Sequence, residues 1–503
     1  MNATEILARE IADLVTGNQI YAGYQGQWQY LLESYIGGEE YRRAGHLTKY
    51  QLETDAEYAS RLKVTPLDNH CQSVVSVYNS FLFRECPDRD FGSMEMMPEL
   101  KDFCKDADFD GRSIDSFMKD VSTWASVFGH CWIIVAKPYV GAVTVADEQA
   151  QGVRPYVSLL TPLSVLDWRW KRSPSGRYEL VYLKYVEDIN GNVKTIKEWN
   201  PETIRTVIVD TDKKEIQEDV VEINGLGKIP AVIAYNGRTS VRGIGVSDIA
   251  DIADAQKFIY NATSEIDQSI RLDSHPSLVT TPETQIGTGA GAIIKMPENL
   301  DPGLKPYVLD FAGANITNIL DSIKHTIDSI DKMANTGAVR ATESRTMSGV
   351  AMETEFQLLN ARLSEKADNL ELAEEQMWRL WAEYMGTVWE GKVEYPGSFN
   401  IRDTGKEIAQ LQQAKSAATD PRVLAVIDHE IIEWLGEDAD IILPELVTLT
   451  NGETVPSDAT EVFDEPEEIF NPSTGESGWV VDFQSKKEAL MSGWIEKENG
   501  KHY

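Results

Sequence analysis

Two long helical patterns on either side of a short polar loop, within residues 314–384, constrain the fold of this chain most. In the first pattern, apolar residues recur in alternating steps of three and four, on one stripe of a helix: Ile316, Leu320, Ile323, Ile327 and Ile330. In the second, residues seven apart form a seam that Leu359 and Leu380 fill in: Phe356, Leu363, Leu370, Met377 and Tyr384. Such a seam must be buried against other helices, from its own chain or from a neighbouring subunit.

The loop between these patterns, residues 335–349, reads NTGAVRATESRTMSG and is neither apolar nor periodic. The sequence therefore predicts a helical hairpin that holds a polar loop out at its end. This arrangement suits a ring of subunits that extend their loops toward a central hole, and it suits a catalytic cleft poorly.

A few cations in and beside this loop are candidate phosphate contacts. The loop supplies Arg340, Thr342, Ser344, Arg345 and Thr346, and the preceding helix supplies Lys324 and Lys332. Sparse cations are enough for transient, salt-sensitive contacts with phosphates. The two arginines are equally suited to pairing with acids of a neighbouring subunit, so both interpretations stay open.

The charge balance excludes one class of function. The 503 residues include 47 Lys or Arg and 81 Asp or Glu, a formal net charge of −34. Such a surface repels nucleic acid in bulk, so the chain is not a general DNA-coating protein, although it could encircle DNA without gripping it. The hydrophobic content of 42% is ordinary for a globular protein, and the length predicts roughly two to four domains.

The cysteines and the N-terminus are typical of a protein from a reducing compartment. Cys71, Cys86, Cys104 and Cys131 are spaced 15, 18 and 27 residues apart, so no pair has the spacing of a zinc site or redox dithiol. We expect buried free thiols. The N-terminal segment lacks signal-peptide architecture, and no apolar run approaches the roughly 20 residues that span a bilayer. These features predict a soluble protein made in the cytosol.

Residues 1–135 read as mostly helical. Periodicity and capping residues predict three helices there: residues 5–15, residues 55–82 with a break near Pro66, and residues 113–128. Gly129 ends the third helix, and the apolar run at 130–136 predicts a buried strand.

Residues 153–236 change to β patterns. Six predicted strands follow one another at roughly the spacing of a meander: PYVSLL, VLDWRWKR, YELVYLKYVED, NVKTIKEWN, TIRTVIVDT and KIPAVIAYN. Asn190-Gly191, between the third and the fourth, is a strong hairpin signal. We expect an antiparallel sheet packed on the preceding helices. A helix follows at 247–274, and then a small insertion rich in Gly and Pro at 276–311.

The C-terminal third is divided by charge. Residues 423–485 contain 16 Asp or Glu and neither Lys nor Arg. A block of one sign is usually a solvated, self-repelling face and less often a dedicated interaction tail.

Two patterns resemble ligand sites without completing one. Gly287, Gly289 and Gly291 alternate ahead of a β-like run and lack the lysine that a phosphate loop requires, so a hairpin tip explains them. A second pattern, three aspartates at successive third positions, could chelate a hard cation together with Glu265 or Asp267: Asp248, Asp251 and Asp254. Carboxylates at the start of a helix also complement its dipole with no metal bound.

Two tryptophans on one predicted strand, Trp168 and Trp170, are a further candidate. Their indoles would face one side, as a base-stacking platform or, more commonly, as a packed sheet face. No set of residues assembles a nucleophile, a base and an oxyanion site. The sequence therefore predicts a non-enzymatic protein without a cofactor or metal.

Four segments carry a resemblance to a known family. They are YASRL with NHCQSVVSVYNSFLF at 58–83, RPYVSLLTPLSVLDWRW at 154–170, IPAVIAYNG followed by GVSDIADIADAQKFIYNATSEID, and MSGVAMETEFQLLNARLSEKADNLE at 347–371. In their order, from about residue 30 to 390, they resemble the portal proteins of tailed bacteriophages. The acidic C-terminal part matches this pattern least.

The resemblance implies an α+β, ring-forming fold. Its parts would be a wing at 1–245 (β-rich at 153–236), stem helix 1 at 246–274, a clip at 275–312, stem helix 2 at 313–335, a tunnel loop at 336–349, a long wing helix at 350–386, and a C-terminal crown or acidic region at 387–503. On this mapping, Arg340, Arg345 and their loop neighbours face DNA, and Lys324 and Lys332 face the channel.

The resemblance also implies a function. Portal proteins form a ring, usually of twelve subunits, at one capsid vertex of the virion, through which double-stranded DNA enters during packaging and leaves at infection. The implied partners are the terminase large subunit, the head–tail adaptor, and the major capsid and scaffolding proteins, with assembly in the host cytoplasm and no membrane. ATP hydrolysis would belong to the separate motor.

Two alternatives stay open from the sequence. One is another ring-forming protein of the phage neck or tail. The other is an acidic intracellular metal-dependent hydrolase, for which Asp248, Asp251 and Asp254 are the only cluster worth testing.

Overall fold

The computed structural model describes residues 10–138, 151–274, 277–279, 301, 307–309, 314–340, 349–397, 399, 411–416, 424, 427, 462–470, 477–482 and 495–496. The chain divides into two compact units, Met1–Asn400 and Ile401–Tyr503. Within the described ranges, every helix is too short or too polar to span a bilayer.

The N-terminal part of the first unit is helical, as predicted. Its helices are α1 (10–15), α2 (Gln19–Ile36), α3 (Gly38–Arg43), α4 (Asp55–Val64), α5 (His70–Leu82), α6 (Pro98–Lys105) and α7 (Ile114–Phe128), with a short strand β1 (Asp88–Asp90) and a 3-10 turn (Gly92–Met94). The predicted break near Pro66 separates α4 from α5. The Ser113 hydroxyl caps α7 by accepting from the Ser116 N–H, and Gly129 ends the helix with φ of 88°.

Two antiparallel sheets follow. A three-stranded sheet has the order β3 (Tyr156–Leu160), β2 (His130–Ala136) and β9 (Ala231–Tyr235). A five-stranded meander consists of β4 (Val165–Arg172), β5 (Tyr178–Asn190), β6 (Val193–Trp199), β7 (Thr203–Asp210) and β8 (Glu215–Ile223). The antiparallel strands and the Asn190-Gly191 hairpin are confirmed.

The prediction of a single sheet was wrong in two respects. The first and last predicted strands, β3 and β9, pair with the buried strand β2 and not with the meander. Strand β8 was missed because it is an almost fully exposed edge, with the sequence EIQEDVVEI, and therefore lacks the apolar alternation of a half-buried strand.

The rest of the first unit is built on long helices. These are α8 (Ala250–Ser274), α9 (Ala314–Ala334), the short α10 (Gly337–Arg340) and α11 (Gly349–Tyr384). Between α8 and α9, β10 (Ser277–Val279) pairs with β11 (Tyr307–Leu309), and after α11, β12 (Lys392–Glu394) pairs with β1. The glycine-rich run at 287–291 lies outside the described residues.

One face of α11 packs on β9 and β2 and contributes to the main core. The predicted seam is buried there at Leu359, Leu363, Leu370, Met377 and Leu380. The core also holds the fully buried rings of Trp132, Phe103, Phe117, Trp378 and Trp381. The burial of this seam within the chain is therefore confirmed, but the expectation of helical partners was wrong in part, because the seam packs mainly on strands.

The second unit is described in part. Residues 411–416 form helix α12, and β13 (Val462–Phe470) lies between β14 (Ser477–Asp482) and β15 (Ile495–Glu496) in an antiparallel sheet. Most of the acidic region at 423–485 lies outside the described residues.

The four cysteines are free thiols. Cys71 and Cys131 are buried, as expected, and Cys104 is half-buried. The expectation was wrong for Cys86, which is exposed just beyond the end of α5.

Candidate channel-lining elements and their anchoring

Helices α8 and α9 pack against each other, and their apolar stripes are buried at one end only. In α8, Ile252 and Ile259 are buried, whereas Ile270 is 50% exposed. In α9, Ile330 is fully buried, whereas Leu320 is 43% exposed. The ends of the pair that lie toward residues 274 and 314 therefore present apolar side chains, Ile270 and Leu320, that the described part of the chain leaves exposed.

The junction between α9 and α10 is held by a sharp turn. Asn335 adopts a φ of 55°, a left-handed conformation that asparagine tolerates better than most residues. The Thr336 N–H donates to the Asp331 carbonyl at 2.9 Å. From α5, the Tyr78 hydroxyl donates to the Ala334 carbonyl at 2.6 Å inside the core. The end of α9 is thus fixed to α5, in the N-terminal helical part of the first unit.

Arg340 is engaged within its own chain. Its side chain is only 11% exposed, and Nη1 lies 2.9 Å from Asp331 Oδ1. Its Nη2 group donates to Nδ1 of His70, at the start of α5, over 2.8 Å. Arg340 therefore ties α10 to both α9 and α5, and its role toward DNA stays a prediction.

The other candidate residues differ in what the structure shows. Thr342, Ser344, Arg345 and Thr346 lie outside the described residues. Lys324 and Lys332 are exposed on α9, so both ammonium groups are accessible to an external partner.

A buried ion cluster joins the residues just before α8 to the long helix α11. Asp248 accepts from Lys366 Nζ at 2.6 Å and from Arg362 Nη2 at 2.7 Å. The Lys366 ammonium also donates to the Ser126 hydroxyl at 2.8 Å and to the Asn236 side-chain oxygen. Both carboxylate oxygens of Asp248 thus accept from cations of α11.

The pKa directions agree with a charged cluster. Burial by itself would raise the pKa of Asp248, but the Lys366 and Arg362 cations hold it below its usual value. Burial lowers the pKa of Lys366, against the pull of Asp248. Burial would lower the pKa of Arg362, but the Asp248 charge raises it above the usual range. The carboxylate is therefore ionised and compensates two buried cations.

The three aspartates of the predicted cluster lie in three different environments. Asp248 is buried in the ion cluster, Asp251 is exposed, and Asp254 accepts from the Tyr30 hydroxyl at 3.1 Å. Within the described ranges, no group of three or more His, Cys, Asp or Glu is placed to hold a metal ion. The hydrolase alternative therefore loses the cluster on which it depended.

A second buried network anchors the other half of α11. Glu374 is fully buried and accepts from Arg89 Nε at 2.6 Å, from the Tyr395 hydroxyl at 2.7 Å and from Trp378 Nε1 at 3.1 Å. The same Arg89 donates to Asp115 at 2.6 Å. Burial, and then the Glu374 charge, raise the pKa of Tyr395 well above its usual value.

The tryptophan pair is part of a packed sheet face. Trp168 is 8% exposed, and the register of β4 shifts between Arg169 and Trp170. Trp170 lies beneath the Arg242 guanidinium, whose Cζ is 5.2 Å from the ring centroid. Neither indole is presented as an open stacking surface.

Comparison with known proteins decides the family. Residues 31–412, well over half of the chain, match the sequence model of the family described as "Phage portal protein, SPP1 Gp6-like". The chain belongs to the phage portal protein family. This match confirms the resemblance inferred from the order of the four segments, and it identifies the chain as a member of a family of structural proteins.

Other comparisons add less to the portal assignment. No curated protein shows significant sequence similarity to the chain. A solved structure of the neck of an empty GTA particle, computed with C6 symmetry, has a TM-score of 0.44 and 10% identity, over 78% of this chain and 99% of that one. The neck of a native GTA particle with C12 symmetry gives 0.40 and 11%, over 79% and 98%. At these TM-scores neither likeness establishes a shared fold.

Proposed function

We propose that this protein is the portal subunit of a tailed phage or a related particle. Its copies close into a ring at one capsid vertex, with twelve subunits as in the usual portal. Double-stranded DNA passes through the ring during packaging and ejection. The observation that carries this proposal is the family match over residues 31–412.

The half-open apolar stripes of α8 and α9 support a ring. Ile270 and Leu320 are exposed in the single chain, although both lie on stripes that elsewhere are buried. Adjacent copies in a head-to-tail ring would cover such stripes, because heterologous contacts close into rings when the rotation permits. Helix pairs from successive copies would then line the hole.

The charge balance supports a conduit in which DNA slides. A net charge of −34 per chain repels the duplex, so it does not adhere along the channel. Exposed cations on α9, Lys324 and Lys332, would provide a few transient phosphate contacts that keep the duplex centred. No ATP-hydrolysing site is needed in this protein, because the terminase motor would supply the work.

The proposed parts of the subunit follow the mapping made from the sequence. Residues 1–245 and 350–386 would form the wing, 246–274 and 313–335 the stem, 336–349 the tunnel loop, and 387–503 the crown or acidic region. Residues 275–312 would form the clip, which contacts the terminase large subunit and later the head–tail adaptor. Capsid and scaffolding proteins would surround the wing.

The function is tested by a packaging reaction. Heads assembled from capsid and scaffolding proteins with this chain, and supplied with terminase and ATP, should protect DNA from nuclease digestion. Heads assembled without the chain should protect only background amounts. Equal protection in both preparations would contradict the proposed function.

Replacing Arg340 with alanine is expected to leave ring assembly intact and to reduce the amount of packaged DNA. The substitution removes the tie between α10, Asp331 and His70, and thereby loosens the start of the tunnel loop. Ring assembly is measured by electron microscopy, and packaging by nuclease protection.

Arg43→Ala is the matched control. Arg43 is an exposed arginine on α3 whose ion pair among the described residues is with Glu40, so packaging should stay at the wild-type level. If Arg340→Ala abolishes rings, Arg340 acts in subunit contact, and if it changes neither property, the tie has no role in the conduit.

A further inference from the structure

A basic cleft lies beside the meander, away from the stem helices. Its volume is about 670 Å³, which is within the usual range of ligand sites, roughly 300–1,000 Å³. Its walls come from the first half of β5, from β9, and from residues 238–242. The channel-lining candidates contribute no side chain to it.

Three arginines of this cleft lack an acidic partner. Arg177, Arg238 and Arg242 line it, and in the described part of the chain none of them forms an ion pair. The lining also contains one acid, Glu179, which forms no ion pair among the described residues. Its fourth cation, Lys228, is neutralised by Glu383. In a chain with 81 acids and 47 bases, three unpaired guanidiniums in one concavity mark a site for an anion.

Aromatic rings hold two of these guanidiniums in place. Arg242 Cζ lies 4.2 Å from the ring centroid of Tyr178, and Arg238 Cζ lies 5.3 Å from that of Tyr235. A guanidinium stacked on a ring keeps its edge N–H groups free to bind a carboxylate with two parallel hydrogen bonds. The buried indole N–H of Trp170 also has no acceptor among the described residues.

Two strand edges run along the same cleft. The first half of β5 pairs with β4 on one side, but β6 reaches β5 only from Leu183 onward. Strand β9 pairs with β2 and has no other strand partner in the described ranges. Unpaired edges of this kind accept an added strand from another polypeptide.

We propose that this cleft binds an extended acidic peptide segment of a partner protein. The peptide backbone would pair with a free strand edge, and carboxylates on alternate residues would bind the stacked arginines. A nucleic acid strand offers no backbone that can continue a sheet, and a duplex is too broad and convex to enter the concavity. Peptide therefore fits both features of the site, whereas nucleic acid fits only the charge.

The test is a binding titration on the intact protein. A fluorescein-labelled peptide of five Glu-Thr repeats should bind by fluorescence anisotropy, and added salt should weaken it. The same peptide with Gln in place of Glu, and the Glu-Thr peptide N-methylated at alternate residues, should each bind at least about tenfold more weakly, because one lacks carboxylates and the other lacks backbone donors.

Variants separate this cleft from the rest of the surface. The double variant Arg238→Gln/Arg242→Gln should weaken binding of the Glu-Thr peptide at least about tenfold. The single variant Arg177→Gln should weaken it about threefold. Lys213→Gln removes an exposed cation in the β7–β8 turn and should leave binding unchanged. Circular dichroism of all variants should match the wild type, because the substituted side chains are exposed.

Three results would overturn the proposal. These are failure of the Glu-Thr peptide to bind the wild type, equal binding of the Gln-Thr peptide, or tighter binding of a ten-nucleotide oligothymidine that the arginine variants also abolish. None of these results bears on whether the protein forms a DNA conduit, which the packaging reaction tests separately.

Discussion

Replacing Asp248 with alanine is expected to lower the free energy of unfolding of the Met1–Asn400 unit by about 3–5 kcal/mol. The substitution leaves Lys366 and Arg362 facing each other without a counter-charge, and the Lys366 side chain is only 5% exposed. Buried cations without a counter-charge are among the costliest defects in a folded protein. Urea and thermal unfolding at one fixed protein concentration measure the effect.

The control for this prediction is on the adjacent helix. Asp251→Ala removes an exposed carboxylate from the first turn of α8 and should change stability by no more than about 0.5–1 kcal/mol. The double variant Asp248→Ala/Lys366→Met should recover part of the loss, because methionine fills the lysine volume without a buried charge. If the double variant loses as much stability as Asp248→Ala and Lys366→Met lose in sum, Asp248 and Lys366 are not energetically coupled.

Replacing Glu374 with alanine is expected to destabilise the same unit by about 3 kcal/mol or more. Glu374 is the shared acceptor for Arg89, Trp378 and Tyr395, and all three donors would be left in a buried site. Arg89 would keep Asp115, so the effect should be smaller than the loss of every partner. The measurement is again urea unfolding at fixed protein concentration.

Two further variants test whether the lost hydrogen bonds and charge of Glu374 cause this destabilisation. Glu375→Ala alters the next residue of α11, which forms an ion pair with the exposed Arg379, and should cost less than about 1 kcal/mol. Glu374→Gln keeps an acceptor but removes the charge. Its free energy of unfolding should therefore lie between those of the wild type and the alanine variant. A Glu374→Ala protein as stable as Glu375→Ala would refute the role assigned to this network.

Local signals in the sequence were sufficient for the helices. Ser113, the apolar face of α7 and Gly129 specify where that helix begins and ends, because capping and periodicity depend on residues a few positions apart. The Asn190-Gly191 turn is equally local. The division of strands between two sheets was not predictable in this way, because β2 must pair with β9 across almost a hundred residues of intervening chain.

The buried ion clusters were also missed, although the sequence contains a signal for them. Lys366 lies three residues after Leu363 and four before Leu370, so it occupies the apolar seam of α11. Glu374 lies in the same seam, between Leu370 and Met377. A charge at a seam position must have a buried partner. Its identity could not be read, because Asp248 is 118 residues from Lys366 and Arg89 is 285 from Glu374.

The site residues illustrate a different limit. Arg340 was singled out as a cation in a polar loop, and the structure shows it bound to Asp331 and His70 of its own chain. His70 lies 270 residues away, so no local pattern connects the two. Lys324 and Lys332 are exposed on α9, and their predicted position facing the channel stays a prediction, because what they face depends on neighbouring copies.

The central claim is that identical copies close into a ring around a hole that admits a DNA duplex. Electron-microscope class averages of the purified protein test it most directly, because an end-on view shows the ring, its symmetry and its hole. The account predicts closed rings with a stain-filled centre as the main class at high protein concentration. A population that remains single compact molecules, or closed assemblies without a hole, would contradict it.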